Sequence, residues 1–138
     1  MKKFLSLILV VLCACLCFVG CNNVSDSSEV VAKDGDYVLI NVESVPESVV
    51  SLSDYMNSIK GGNIISVFTI ENGMLTSING KKAQGSLYWM LYTNDAEYSN
   101  SAWGSVTVEG VTYFSATLGA EELPIKADCT YIWYAQQF

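Results

Sequence analysis

Leu87-Tyr88-Trp89-Met90-Leu91-Tyr92-Thr93 is an unbroken apolar and aromatic run. A strand with one face in water alternates polar and apolar residues, so a run without polar interruption predicts a central strand covered on both faces. Upstream, Ile64–Glu71 and Met74–Ile78 flank Asn72-Gly73, a pair that accepts positive φ and predicts a tight β-hairpin. A second turn of the same kind follows at Asn79-Gly80. Further upstream, Val49, Leu52, Tyr55, Met56 and Ile59 recur at spacings of three and four across Ser48–Ile59, which predicts an amphipathic helix stopped by Gly61-Gly62. Val38, Ile40 and Val42 alternate with Tyr37, Leu39 and Asn41, the period of a first strand. Downstream, Ser105–Val108 and Val111–Ala116 around Glu109-Gly110 predict another hairpin, and Thr130–Tyr134 a last strand. The fold expected is α+β: a single small domain, with one helix packed on a mostly antiparallel β-sheet.

The N-terminus has a different logic. Met1-Lys2-Lys3 is a positive start, Phe4–Val19 is apolar, and Phe18-Val19-Gly20-Cys21 sets a small residue directly before a cysteine. This is the pattern of a signal peptide ending in a lipobox, and it resembles bacterial lipoprotein precursors. The resemblance implies that residues 1–20 are removed and that Cys21 carries the acyl chains, palmitate among them, since only a thiol can form the thioether. Two or more chains anchor stably because each buried methylene contributes about 0.8 kcal/mol. The expected location is the cell membrane, on its extracytoplasmic face at the cell surface. Residues 21–34 read as a flexible polar stalk, and residues 35–138 as the folded domain.

Composition narrows the function classes. Of 138 residues 51% are hydrophobic, inflated by the leader, and the remainder suits one core. The formal charge is −7, and the leader carries two lysines and no acid, so what remains is more acidic still. The other lysines are dispersed apart from Lys81-Lys82, which argues against nucleic acid as a partner. Once Cys13, Cys15 and Cys17 leave with the leader and Cys21 is acylated, Cys129 is a lone thiol, read as a small buried hydrophobe.

No catalytic constellation stands out. There is no histidine, no nucleophile elbow and no phosphate-binding glycine loop, so the chain reads as a non-enzyme. Glu121-Glu122 and the Asp95/Glu97 pair read as solvated acidic surface. Asn94, Asp95, Glu97 and Asn100 supply hard oxygens without the spacing of a calcium loop, so no metal and no cofactor is expected.

Aromatic enrichment is the more informative feature: eight Tyr, three Trp and five Phe. Trp89, Tyr131 and Trp133 sit inside predicted strands and read as core. Tyr98 and Trp103 lie in or beside a predicted polar loop, Asn94–Asn100, where a large ring has less reason to be buried. With Tyr92 and Asn94 they form the candidate ligand-binding set.

Three segments together resemble a known family: Thr76-Ser77-Ile78-Asn79-Gly80, then Tyr88-Trp89-Met90-Leu91-Tyr92-Thr93-Asn94, then Tyr131-Ile132-Trp133-Tyr134. They are similar to the transcobalamin C-terminal-like domain of bacterial surface proteins, from about Tyr37 to the C-terminus. The resemblance implies a lipid-anchored binding protein for a small molecule, a corrinoid such as cobalamin being the candidate ligand. In transcobalamin the related domain covers one face of cobalamin, helped by a helical domain that this chain lacks. The alternative is a surface module that docks another protein or a glycan and takes no small molecule.

Overall fold

A computed structural model describes residues 30–31 and 35–138. The leader 1–20, the lipidation site Cys21 and most of the stalk lie outside the described residues. The elements are β1 (Val30–Val31), β2 (Tyr37–Val42), α1 (Leu52–Ser58), β3 (Phe68–Glu71), β4 (Met74–Ile78), β5 (Lys81–Lys82), β6 (Leu87–Thr93), β7 (Ser99–Val108), β8 (Val111–Ala116) and β9 (Cys129–Gln137). Six strands form one sheet in the order β1-β7-β8-β6-β9-β2, and three form another in the order β3-β4-β5. The result is a small, strand-dominated fold, antiparallel apart from β1, with one short helix.

β9 and β6 are the spine of the large sheet. β9 pairs β6 from Leu87↔Gln137 to Thr93↔Tyr131, and on its other side pairs β2 from Tyr37↔Tyr134 to Val42↔Cys129. Because side chains alternate across a strand, the same strands serve two clusters through alternate residues. Tyr131, Trp133 and Ala135 join Ile40, Val42 and Trp89 in the main core, under α1 and the small sheet. Ile132 joins Tyr92, Val106, Val108 and Tyr113 in a second, smaller cluster. The expected burial of Trp89, Tyr131 and Trp133 is found, and both faces of β6 are in use.

The turns follow their sequence signals. Asn72-Gly73, Asn79-Gly80 and Glu109-Gly110 all have positive φ at both positions, as two-residue hairpin loops require. Asn79 adds a lock: its side-chain amide accepts from Ser66 N–H and donates to Ile64 C=O, both at 2.8 Å. With Ile64 and Ser66 bonded to this side chain, β3 starts at Phe68 rather than Ile64.

The helix is shorter than its apolar stripe. It begins at Leu52, not Ser48, because Val49 is buried through a turn in which its N–H bonds Pro46 C=O at 3.0 Å. Ser51 then caps the helix, accepting from Asp54 N–H while Asp54 accepts from Ser51 N–H, a reciprocal capping box. The backbone hydrogen bonds that hold the Asp54 carboxylate lower its pKa, the Ser51 N–H first. Seven residues make a marginal helix in isolation. Tertiary bonds compensate: Leu52 and Ser53 N–H groups reach Leu123 and Ala120 C=O, and Trp133 Nε1–H meets Met56 Sδ at 3.3 Å.

One segment of the expected stalk is ordered into the sheet. Val30 and Val31, both β-branched, pair in parallel with Val106 and Thr107 and extend the large sheet beyond β7.

Candidate functional site

The four residues picked from sequence separate into two places. Asn94 and Tyr98 belong to a polar corner at the end of β6. Asn94 Oδ1 accepts from Thr130 N–H at 2.8 Å, and Thr93 Oγ1 donates to Thr130 C=O at 2.9 Å while accepting from Asp95 N–H. Asp95 is 4% exposed rather than solvated, and its Oδ1 accepts from Glu97 N–H at 3.0 Å and from the Lys126 ammonium at 3.2 Å. Lys126 also pairs with Glu97 and lies 5.1 Å from the centre of the Tyr98 ring. The Glu97 hydrogen bond is the main reason that the Lys126 pKa rises.

Tyr98 is half-buried and also packs against the main core. Cys129 borders the same corner and is half-buried rather than fully buried. Burial first, and the Asp95 charge second, push its thiol pKa up. The corner is a brace joining the β6–β7 connection to the start of β9.

Trp103 and Tyr92 belong elsewhere. Trp103 is in strand β7, not a loop, at the place where the β7–β8 register jumps from Asn100↔Ser115 to Ser105↔Phe114. The extra residues arch over β8. Asn100 Oδ1 takes Ala102 N–H at 2.9 Å to start the arch, Ser115 Oγ donates to Trp103 C=O at 3.3 Å, and Gly104 ends it at φ +125°, a conformation that a side chain would strain. The arch carries the Trp103 indole across to residues of β6, although β8 separates β7 from β6 in the sheet.

There it borders two adjoining clefts. The larger, about 280 Å³, has Trp89, Leu91 and Trp133 on its floor. Met74 and Leu75 of β4 form one wall, and Trp103 and Ala116 the other. The smaller, about 190 Å³, is bounded by Met90, Tyr92, Trp103, Gln136 and Phe138. Met90 and Trp103 line both. Tyr92 is buried, its hydroxyl donates to Gln136 Oε1 at 2.8 Å, and its ring meets Tyr134 edge-on at 6.5 Å. Burial raises its phenol pKa.

Trp103 is 63% exposed and Met74 57% exposed, while the floor tryptophans are nearly buried. Sequence reading missed Met74, Met90 and the arch. The available signal was Gly104, a glycine inside a strand pattern, which marks a bulge.

Glu121 and Glu122 are both exposed and adjacent. Among the described residues, no three His, Cys, Asp or Glu side chains are placed to share a metal ion, and no helix is long and apolar enough to cross a membrane. No protein-family model, curated protein or solved structure matches the chain.

Proposed function

We propose that this chain is a non-catalytic binding protein, tethered through a lipid on Cys21 at the extracytoplasmic face of the membrane, whose ligand seats in the cleft beneath Trp103. The observation that carries the reading is a mostly apolar cleft with three tryptophans, one of them held in the open by its backbone arch. An apolar pocket with a few polar groups at its margin is the ordinary form of a small-molecule site. Covering a large apolar side chain fully contributes about 1.5–3 kcal/mol, a gain that Trp103 has yet to realise.

The resemblance to the transcobalamin C-terminal-like domain, with its α+β fold of one helix on a sheet, supports the same reading and makes a corrinoid such as cobalamin the first ligand to test. A cleft of 280 Å³ grips an edge of such a ring, as one half of a clamp would. Titration of the chain with cobalamin and its precursors, followed by tryptophan quenching with an inner-filter control and by calorimetry, tests it. Saturable binding lost in Trp103→Ala supports the cleft; binding that survives Trp103→Ala removes it.

The second reading, a module that docks another surface protein, is favoured by one feature of the same cleft, the stretch of β6 around Trp89 that β8 leaves unpaired among the described residues.

A further inference from the structure

The neighbours of β6 are unequal. On one side β9 pairs it along its whole length. On the other, β8 pairs it only at Tyr92 and Thr93 before diverging. The direction of each backbone group follows from the bonds at the two ends. Phe138 N–H donates to Ser86 C=O, and Asn94 N–H to Thr130 C=O, so the even-numbered residues of β6 turn their backbone towards β9. Alternation aims the odd-numbered residues the other way. Leu87 uses that direction for its bond to Gln84 C=O, and Thr93 for β8. Trp89, between them, aims its N–H and C=O into the cleft with no strand opposite among the described residues.

We propose that the cleft receives a short extended peptide segment of a partner protein, which adds as a strand to the free edge of β6 at Trp89. This rests on the reading of the cleft as the binding site and names the chemistry of its ligand. Three features fit. The Trp89 backbone offers one donor and one acceptor, as strand addition needs. A peptide residue paired with Trp89 shares its face of the sheet, so its side chain enters the larger cleft, while the next residue turns towards Met90 and the smaller one. At the margin, Glu121 and Glu122 share a depression with Gly73 and Gly119, which also line the larger cleft, so one end of the groove is acidic. The segment is therefore apolar at alternate positions and carries a basic residue at the end that lies beside these two carboxylates.

The test uses the full chain in lipid nanodiscs and a library of capped eight-residue peptides. Each has lysine at one end, apolar residues randomised at alternate positions and threonine elsewhere. Three versions are compared: unmodified, N-methylated at the apolar positions, and N-methylated at the threonines.

The expected result is saturable tryptophan quenching by the unmodified library and slower hydrogen exchange at the Trp89 amide. N-methylation at the apolar positions weakens binding at least tenfold, and N-methylation at the threonines changes it less than threefold. Glu121→Gln with Glu122→Gln removes the preference for lysine over norleucine. Equal binding of the two N-methylated versions overturns strand addition. No peptide binding, with Trp103-dependent quenching by cobalamin, overturns the peptide and keeps the cleft. If neither binds, the cleft itself is not the site.

Discussion

The polar corner at the end of β6 and the tryptophan cleft along its middle use their side chains in opposite ways. In the corner, Asn94, Asp95, Tyr98 and Lys126 each hold a partner within the chain, and the Tyr98 ring touches both the core and an ammonium. In the cleft, Trp103 and Met74 stay largely exposed, and the Trp89 backbone has no β8 residue paired with it among the described residues. Polar residues in a loop attract notice in a sequence because they look free to bind. Here most of their polar groups already hold partners within the chain, the buried Asp95 Oδ2 being the exception among the described residues, and the open surface is apolar and lies on strands.

The largest effect is expected in the floor of the cleft. Trp133 is 3% exposed, bonds Met56 and floors the larger cleft. Trp133→Ala is expected to cost about 3–5 kcal/mol in urea unfolding, and a loss below about 1 kcal/mol would mean that the core under the cleft is not packed as described. Asp95→Ala comes next, at about 1–3 kcal/mol, because Glu97 N–H and the Lys126 ammonium both lose an acceptor. If the corner is only a brace, cleft ligands bind this variant as they bind the parent, which calorimetry checks.

Gly104→Ala is expected to cost on the order of 1 kcal/mol through backbone strain at φ +125°. It should also lower ligand affinity by displacing the indole of Trp103, which its fluorescence maximum reports. Cys129 probes how closed the corner is. Burial and the Asp95 charge disfavour its thiolate, so the alkylation rate followed at the Cys129 peptide by mass spectrometry should still be climbing with pH at the ordinary thiol value of 9.0 and level off only above it. Asp95→Asn should move that midpoint down, and an unchanged midpoint would detach the thiol from the carboxylate. The smallest effect on stability belongs to Trp103→Ala, within about 0.5 kcal/mol of the parent, paired with the largest loss of binding. A large stability loss there would turn the platform into a packing residue.

Much of the fold was legible in the sequence because its turns are chemically explicit. Asn72-Gly73, Asn79-Gly80 and Glu109-Gly110 adopt the positive φ they advertise, and the apolar run of β6 is engaged on both faces. The helix start was misplaced because Val49 is buried by a turn, so its apolar character says nothing about helical phase. Val30-Val31 looked like part of a polar stalk because the partners that order them, Val106 and Thr107, are distant in the chain. The same non-locality split the candidate site. Tyr92 and Trp103 were legible as large rings, but only the register jump in β7 brings them together, whereas Asn94 and Tyr98, nearer in sequence, are drawn away by Thr130 and Lys126.

The arch that presents Trp103 has a consequence for how this protein changes over time. Its path is set by Asn100, Gly104 and the Ser115 hydroxyl, and the largely exposed indole contributes little to holding it. Position 103 is therefore close to neutral for folding, and substitutions there escape the selection that fixes a core residue. A lineage can exchange the residue at this one point, and with it the preferred ligand, while leaving the scaffold untouched. Variety at 103 beside constancy at 100, 104 and 115 is the signature that such freedom would leave among descendants of this chain.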